Sequence, residues 1–175
     1  MKKGVLLTVL FALTMVLVYS ISSDRPRSTA PVVAGFKAPG FELTDLGGRT
    51  WKLGEMAGSV VFVNFWATWC KECVEEMPSI QRLYEQTKDN EKFHLLSILY
   101  QDDPETARKY MAENSYTFPV LIDPASITAK AYHLTGVPET YIVGTDGMVA
   151  KKTIGPAEWD DPEIIKEITT LTAQR

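Results

Sequence analysis

The chain has 175 residues, 45% of them hydrophobic and 23% charged, with 18 basic side chains against 22 acidic ones and a net charge of −4. That is the size of one globular domain with a tail, and a charge this near neutral, with no block of Lys or Arg, offers no footprint for gripping nucleic-acid phosphates. Two Cys and two His are too few for a disulfide scaffold, a four-thiolate iron–sulfur cluster or a Cys/His zinc finger, which leaves a core-stabilised domain with a single possible Cys pair.

Lys2 and Lys3 precede an uncharged, largely apolar run from Val5 to Ile21, and the next charge is Asp24. The run is roughly 17 residues long, at the short end for a spanning helix and just beyond a signal-peptide core. Its length, and the weak cleavage site at Val18-Tyr19-Ser20, favour an uncleaved membrane anchor over residues 1–21, with a cleaved signal as the alternative. The paired lysines put the N-terminus in the cytoplasm, although Arg25 and Arg27 weaken the bias. The domain is therefore expected outside the cytoplasmic membrane, facing the periplasm or cell exterior. Residues 22–37, marked by Ser, Pro and Arg and without a period, read as a flexible tether, and residues 38–175 as the domain.

Within the domain, Phe41–Thr44 and Thr50–Leu53 flank Gly47-Gly48 as a hairpin. Ser59–Trp66 is a nearly continuous apolar and β-branched run, as in a strand buried on both faces. Met77, Ile80, Leu83 and Tyr84 recur at helical spacing and predict a helix over 71–87, followed by a strand over 93–99. Asp103-Pro104 starts a helix that ends near Asn114. A short strand at 120–122, a helix at 125–132, a strand at 140–143, a turn at Asp146-Gly147, a strand at 148–154 and an amphipathic helix at 161–171 complete the order. Alternating strands and helices closed by a hairpin predict a three-layer α/β sandwich.

The chemistry is concentrated in Trp66-Ala67-Thr68-Trp69-Cys70-Lys71-Glu72-Cys73, where the buried strand hands over to a helix. Residues three apart in a first helical turn are neighbours, so the two sulfurs can close a disulfide. Cys70, at the helix start, is the expected attacking sulfur, its thiolate favoured by the unpaired N–H groups and the dipole. Cys73, one turn further in, then resolves the mixed disulfide. Lys71 and Glu72 act in opposite directions on that thiolate. A zinc site needs two further ligands, and His94 and His133 are expected in a strand and on a helix surface. A c-type haem attachment needs His after the second Cys, where Val74 stands.

These segments resemble the thioredoxin superfamily, in its membrane-tethered TlpA/ResA/CcmG-like branch. The resemblance covers roughly residues 38–173 and is carried by APGFELTDLGGR at 38–49, VNFWATWCKEC at 63–73, Glu76 and Pro78 in the same helix, and GVPETYIV at 136–143. It implies a thioredoxin fold, three layers around a central mixed sheet, with an N-terminal hairpin and a strand and helix inserted at about 120–132. It also implies that Pro138 is a cis-proline lying against the cysteine pair, that Val137 before it presents backbone to a substrate peptide, and that Pro78 kinks the first helix. Trp69 is expected exposed beside Cys70, as part of the substrate-binding surface. Asn64 stands where thioredoxin has a buried Asp that assists proton transfer, which an amide cannot do. Glu76 matches an acidic residue typical of the branch and is expected, partly desolvated, to exchange a proton with Cys73. Glu139 after Pro138 resembles the CcmG-like members.

The expected function is a tethered reductase of protein disulfides acting in cytochrome c maturation. Apocytochrome c is its expected substrate, and a membrane thiol transporter of the CcdA/DsbD kind its electron donor. No metal or cofactor beyond the redox-active Cys70–Cys73 disulfide is expected, and no nucleic acid. A thiol peroxidase is the second reading, because the opening at 38–49 is shared with peroxiredoxins. Those peroxidases carry Thr or Ser three residues before the attacking Cys, where this chain has Ala67. A protein-binding or chaperone module without redox turnover is the third.

Overall fold

The computed structural model describes residues 14–15 and 32–173. Most of the anchor and most of the tether expected from the sequence lie outside the described residues. No helix among the described residues is long and apolar enough to cross a membrane. The chain divides into two units, Met1–Ala30 and Pro31–Arg175, and the second carries the sheet, its helices and both cysteines.

A seven-stranded mixed sheet forms the centre of this second unit. The strands are β1 (Glu42–Asp45), β2 (Thr50–Lys52), β3 (Val60–Trp66), β4 (Phe93–Leu99), β5 (Val120–Ile122), β6 (Glu139–Val143) and β7 (Val149–Ile154), in the spatial order β2-β1-β5-β4-β3-β6-β7. β3, β4 and β5 run parallel, while β6 pairs antiparallel to β3 and β1 antiparallel to β5. Four helices join them: α1 (Lys71–Thr87), α2 (Pro104–Glu113), α3 (Ile127–Ala131) and α4 (Pro162–Ala173). This is the thioredoxin fold, with the hairpin at one edge and β5–α3 as the insertion.

Every residue of β3 is buried, and its alternation sorts the core into two halves. Val60, Phe62 and Trp66 pack with Met77, Ile80 and Leu83 of α1 and Ile168 of α4. Val61, Val63 and Phe65 face the other way, against Leu96, Leu121, Ala129 and Tyr132. A strand covered on both faces must be apolar at every position, which is why this run lacks a polar face. Asn64 is the exception, and it falls on the α1 face.

Three local features differ from the sequence reading. Leu53, expected to end the second hairpin strand, begins a 3-10 turn over Leu53–Met56. The helix expected over 125–132 is shortened to Ile127–Ala131. Ser126 before it has φ 50°, and the buried Asp123 carboxylate accepts from the N–H groups of Ile127 and Ala129, which sets the first turn. Residues 32–37, expected in the tether, lie against the β6–β7 hairpin. Val32 is buried, Gly35 N–H donates to the Val149 carbonyl at 2.8 Å, and Lys37 bridges Met148. Pro78 lies inside α1, and the helix continues through it to Thr87.

Candidate active site

β3 ends at Trp66 and α1 begins at Lys71, so residues 67–70 turn the chain from a buried strand into a helix. Thr68 donates from both its N–H (2.6 Å) and its hydroxyl (2.7 Å) to Asp102 Oδ2. Cys70 N–H donates to the Ala67 carbonyl, and the Trp69 indole donates to the Gln101 carbonyl at 3.2 Å. Asp102 thereby clamps the segment that presents Cys70. Sequence reasoning misses it, since beside Asp103, which caps α2 through Thr106, it reads as one more loop acid.

Cys70 is the N-cap of α1, and its sulfur accepts the Cys73 N–H at 3.1 Å. The two cysteines form a disulfide with Cα atoms 5.2 Å apart. Cys73 has no exposure, Cys70 keeps 7%, and Trp69 beside it is 59% exposed. An incoming sulfur can therefore approach Cys70 and not Cys73. The Val137–Pro138 peptide is cis, and the Val137 carbonyl oxygen lies 3.4 Å from Cys70 Sγ. Gly155 N–H holds the Pro138 carbonyl at 3.0 Å. The structure thus brings Trp69, Cys70, Cys73, Val137 and Pro138 to one place. His94 does not join them: it pairs with Val61, at the other end of β3.

Glu76 follows Cys73 by one helical turn and is buried, with 2% exposure. Its Oε1 accepts from Asn64 Nδ2 at 2.9 Å. Its Oε2 accepts from the Trp159 indole at 2.8 Å and from the Ala157 N–H at 3.2 Å. Burial pushes this carboxyl up to about 7, against the hydrogen bonds from Trp159, Asn64 and Ala157, which favour the charged form. A carboxyl balanced at neutral pH can both take and return a proton. Nothing in the sequence around Trp159 announces its part. Arg82 on α1 pairs with Asp160 at 2.5 Å and ties that loop to the helix.

Glu139 serves a different purpose from Glu76. It is fully buried on the opposite face of β6 from Thr140, and its carboxylate meets the Thr135 hydroxyl (2.8 Å), Lys152 Nζ (2.9 Å) and the Tyr141 hydroxyl. None of these is a dithiol residue, so Glu139 braces the loop 135–138 from behind.

A profile of the AhpC/TSA family matches residues 34–152. The chain belongs to that family. Within it, this protein is a thiol-disulfide oxidoreductase similar to ResA. The "Thiol-disulfide oxidoreductase ResA" of Geobacillus kaustophilus is 32% identical over 163 residues, 93% of this chain and 91% of that one. The protein of the same name from Bacillus cereus is 38% identical over 122 residues, 69% of each. Among solved structures, a candidate thiol:disulfide interchange protein DsbE from Chlorobium tepidum superposes with a TM-score of 0.71 at 27% identity, covering 80% of this chain and 98% of its own. StoA from Bacillus subtilis, at 24% identity and a TM-score of 0.65 over 79% of this chain and 99% of its own, shows the same fold.

For this oxidoreductase, Trp159→Phe removes one donor to the Glu76 carboxylate while keeping the ring against Phe62. The Glu76 midpoint is expected to rise by roughly one unit, because the lost bond served the charged form. A carbon-13 NMR titration of the Glu76 carboxyl checks this, and an unmoved or lowered midpoint would contradict it.

Proposed function

We propose that the chain is a membrane-tethered reductase of protein disulfides outside the cytoplasm, with apocytochrome c as its substrate. The observation that carries the reading is the pairing of a reachable Cys70 with a buried Cys73 that has Glu76 one turn away. The Cys70 thiolate attacks a substrate sulfur, forming the mixed disulfide and releasing the first substrate thiolate. Cys73 then gives its proton to Glu76 and attacks the Cys70 sulfur, and the second substrate thiolate leaves. Two electrons pass from the dithiol to the substrate, and the enzyme is left as its Cys70–Cys73 disulfide. Electrons return from a membrane thiol transporter of the CcdA/DsbD kind.

The apolar run at 5–21 supports the tether and the location. Glu139 directly after Pro138, in its resemblance to the CcmG-like members, supports apocytochrome c as the substrate. A peroxidase reading has less behind it, since Ala67 stands three residues before Cys70 and the Thr68 hydroxyl is bonded to Asp102. The test is the equilibrium reduction potential against a thiol/disulfide buffer, with the cysteine state trapped by alkylation. A value around −270 mV, as in thioredoxin, is expected, and a value near −120 mV would make the protein a disulfide donor and remove the cytochrome reading.

A further inference from the structure

Asn64 is fully buried on β3, between Glu76 of α1 and Thr140 of β6. Its Nδ2 donates at 2.9 Å to Glu76 Oε1 and at 2.9 Å to Thr140 Oγ1, while its Oδ1 has no hydrogen-bond partner among the described residues. Both amide hydrogens are spent on one side, and a buried acceptor is left idle on the other. An unpaired buried carbonyl costs on the order of 1–3 kcal/mol, so its presence beside a proton-exchanging carboxyl calls for a reason.

The two oxygens of Glu76 differ in what they can tolerate. Oε2 faces the Trp159 indole and the Ala157 N–H, two groups that only donate. A proton placed there meets donors that cannot become acceptors. Oε1 faces a side-chain amide, which is a donor at one end and an acceptor at the other.

We propose that Asn64 is a positioning residue for proton transfer at Glu76, its amide turning over as Oε1 gains a proton and turning back as the proton leaves. With Glu76 ionised, the two Nδ2 hydrogens go to Glu76 Oε1 and Thr140 Oγ1, as the structure shows. With Oε1 protonated, the two lone pairs of the turned Oδ1 accept the hydroxyls of Glu76 and Thr140. Thr140 serves both arrangements because a hydroxyl both accepts and donates. Each protonation state keeps two hydrogen bonds on that side, and the turn exchanges the unpaired Oδ1 on the other side for the Nδ2 hydrogens. An Asp at this position could only accept, and an apolar residue could do neither. The amide cannot carry the proton itself, but it keeps either state of its neighbour satisfied.

This inference rests on Glu76 exchanging a proton with Cys73. The groups bonded to the Glu76 carboxyl are Asn64 and, through it, Thr140 from the sheet, and Trp159 and Ala157 from the loop after β7, with Cys73 one turn before it on α1. None of these side chains is charged in the disulfide form.

The test follows the Glu76 carboxyl carbon and the Asn64 side-chain amide by NMR in the oxidised full chain, from pH 5 to pH 9. The two signals are expected to move with one midpoint. In Glu76→Gln, whose side chain copies the protonated acid, the Asn64 signals are expected to hold their low-pH position throughout. In Asn64→Ala, the Glu76 midpoint is expected to stay within about half a unit of the parent, since both states lose a partner. A donor serving only the carboxylate would send it up by roughly a unit or more. An Asn64 amide that stays still while Glu76 titrates overturns the inference and leaves the role of Glu76 standing. A Glu76 that does not titrate in this range overturns both. The parent titration decides the matter even if Asn64→Ala does not fold.

Discussion

Through Glu76 alone, the unfolding free energy of this oxidoreductase is expected to fall by about 3 kcal/mol as pH rises from 4.5 to 8, and Glu76→Gln is expected to remove that fall. In the unfolded chain the carboxyl ionises around its ordinary value of 4.5, whereas burial raises it to about 7 in the folded protein. Between those values the folded state holds a proton that the unfolded state has already lost. Folding therefore takes up a proton, and stability declines as pH rises through the window. Below 4.5 both states are protonated, and above 7 both are ionised, so the contribution is flat on either side. The gap of roughly two and a half units, at about 1.4 kcal/mol each, sets the size. The amide of Gln is neutral throughout, so the variant matches the parent near pH 4.5 and exceeds it at pH 8. Urea unfolding of both proteins over a pH series, with the disulfide intact, isolates Glu76 from every other titrating group. Parallel stability curves would refute the buried, proton-holding carboxyl. The same variant is expected to slow resolution of the mixed disulfide by roughly a hundredfold or more, the usual scale for a lost general base. A stabilising change that costs activity is what a strained functional group predicts.

Cys73→Ser is expected to end turnover by leaving the substrate covalently attached to Cys70. Cys70 keeps an edge in solvent at the N-cap of α1, where the Cys73 N–H already points at its sulfur, and a thiolate there faces the positive end of the helix. It can attack, but without a second sulfur the mixed disulfide has no internal route to release. Non-reducing electrophoresis and intact mass should show one substrate added per chain, lost on treatment with a reductant. Cys70→Ser should form no adduct, because Cys73 has no exposure. An adduct through Cys73 in that variant would reverse the assigned order of the two sulfurs.

Much of the fold was legible from local pattern. The continuous apolar run of β3, the helical recurrence of Met77, Ile80 and Leu83 in α1, and the largely apolar strand over 93–99 are repeats that a chain must show wherever strands and helices bury whole faces. The dithiol was legible for the same reason, because its geometry is set within one helical turn. Pro138 and Glu76 were reached through resemblance, and spacing alone would not have placed either of them at the sulfurs.

By itself the sequence determined the element order, the buried central strand and the Cys70–Cys73 pair. The tertiary structure alone decided that Asp102 clamps Thr68 from 34 residues away, and that Trp159 and Ala157 meet Glu76 from 83 and 81 residues away. It also decided that Glu139 braces its loop from the far face of the sheet. The physical reason is that a strand or helix is a local repeat written into consecutive residues. The environment that sets a buried carboxyl at neutral pH is assembled from donors that meet only when the loop after β7 closes over α1, and no period in the chain records that meeting.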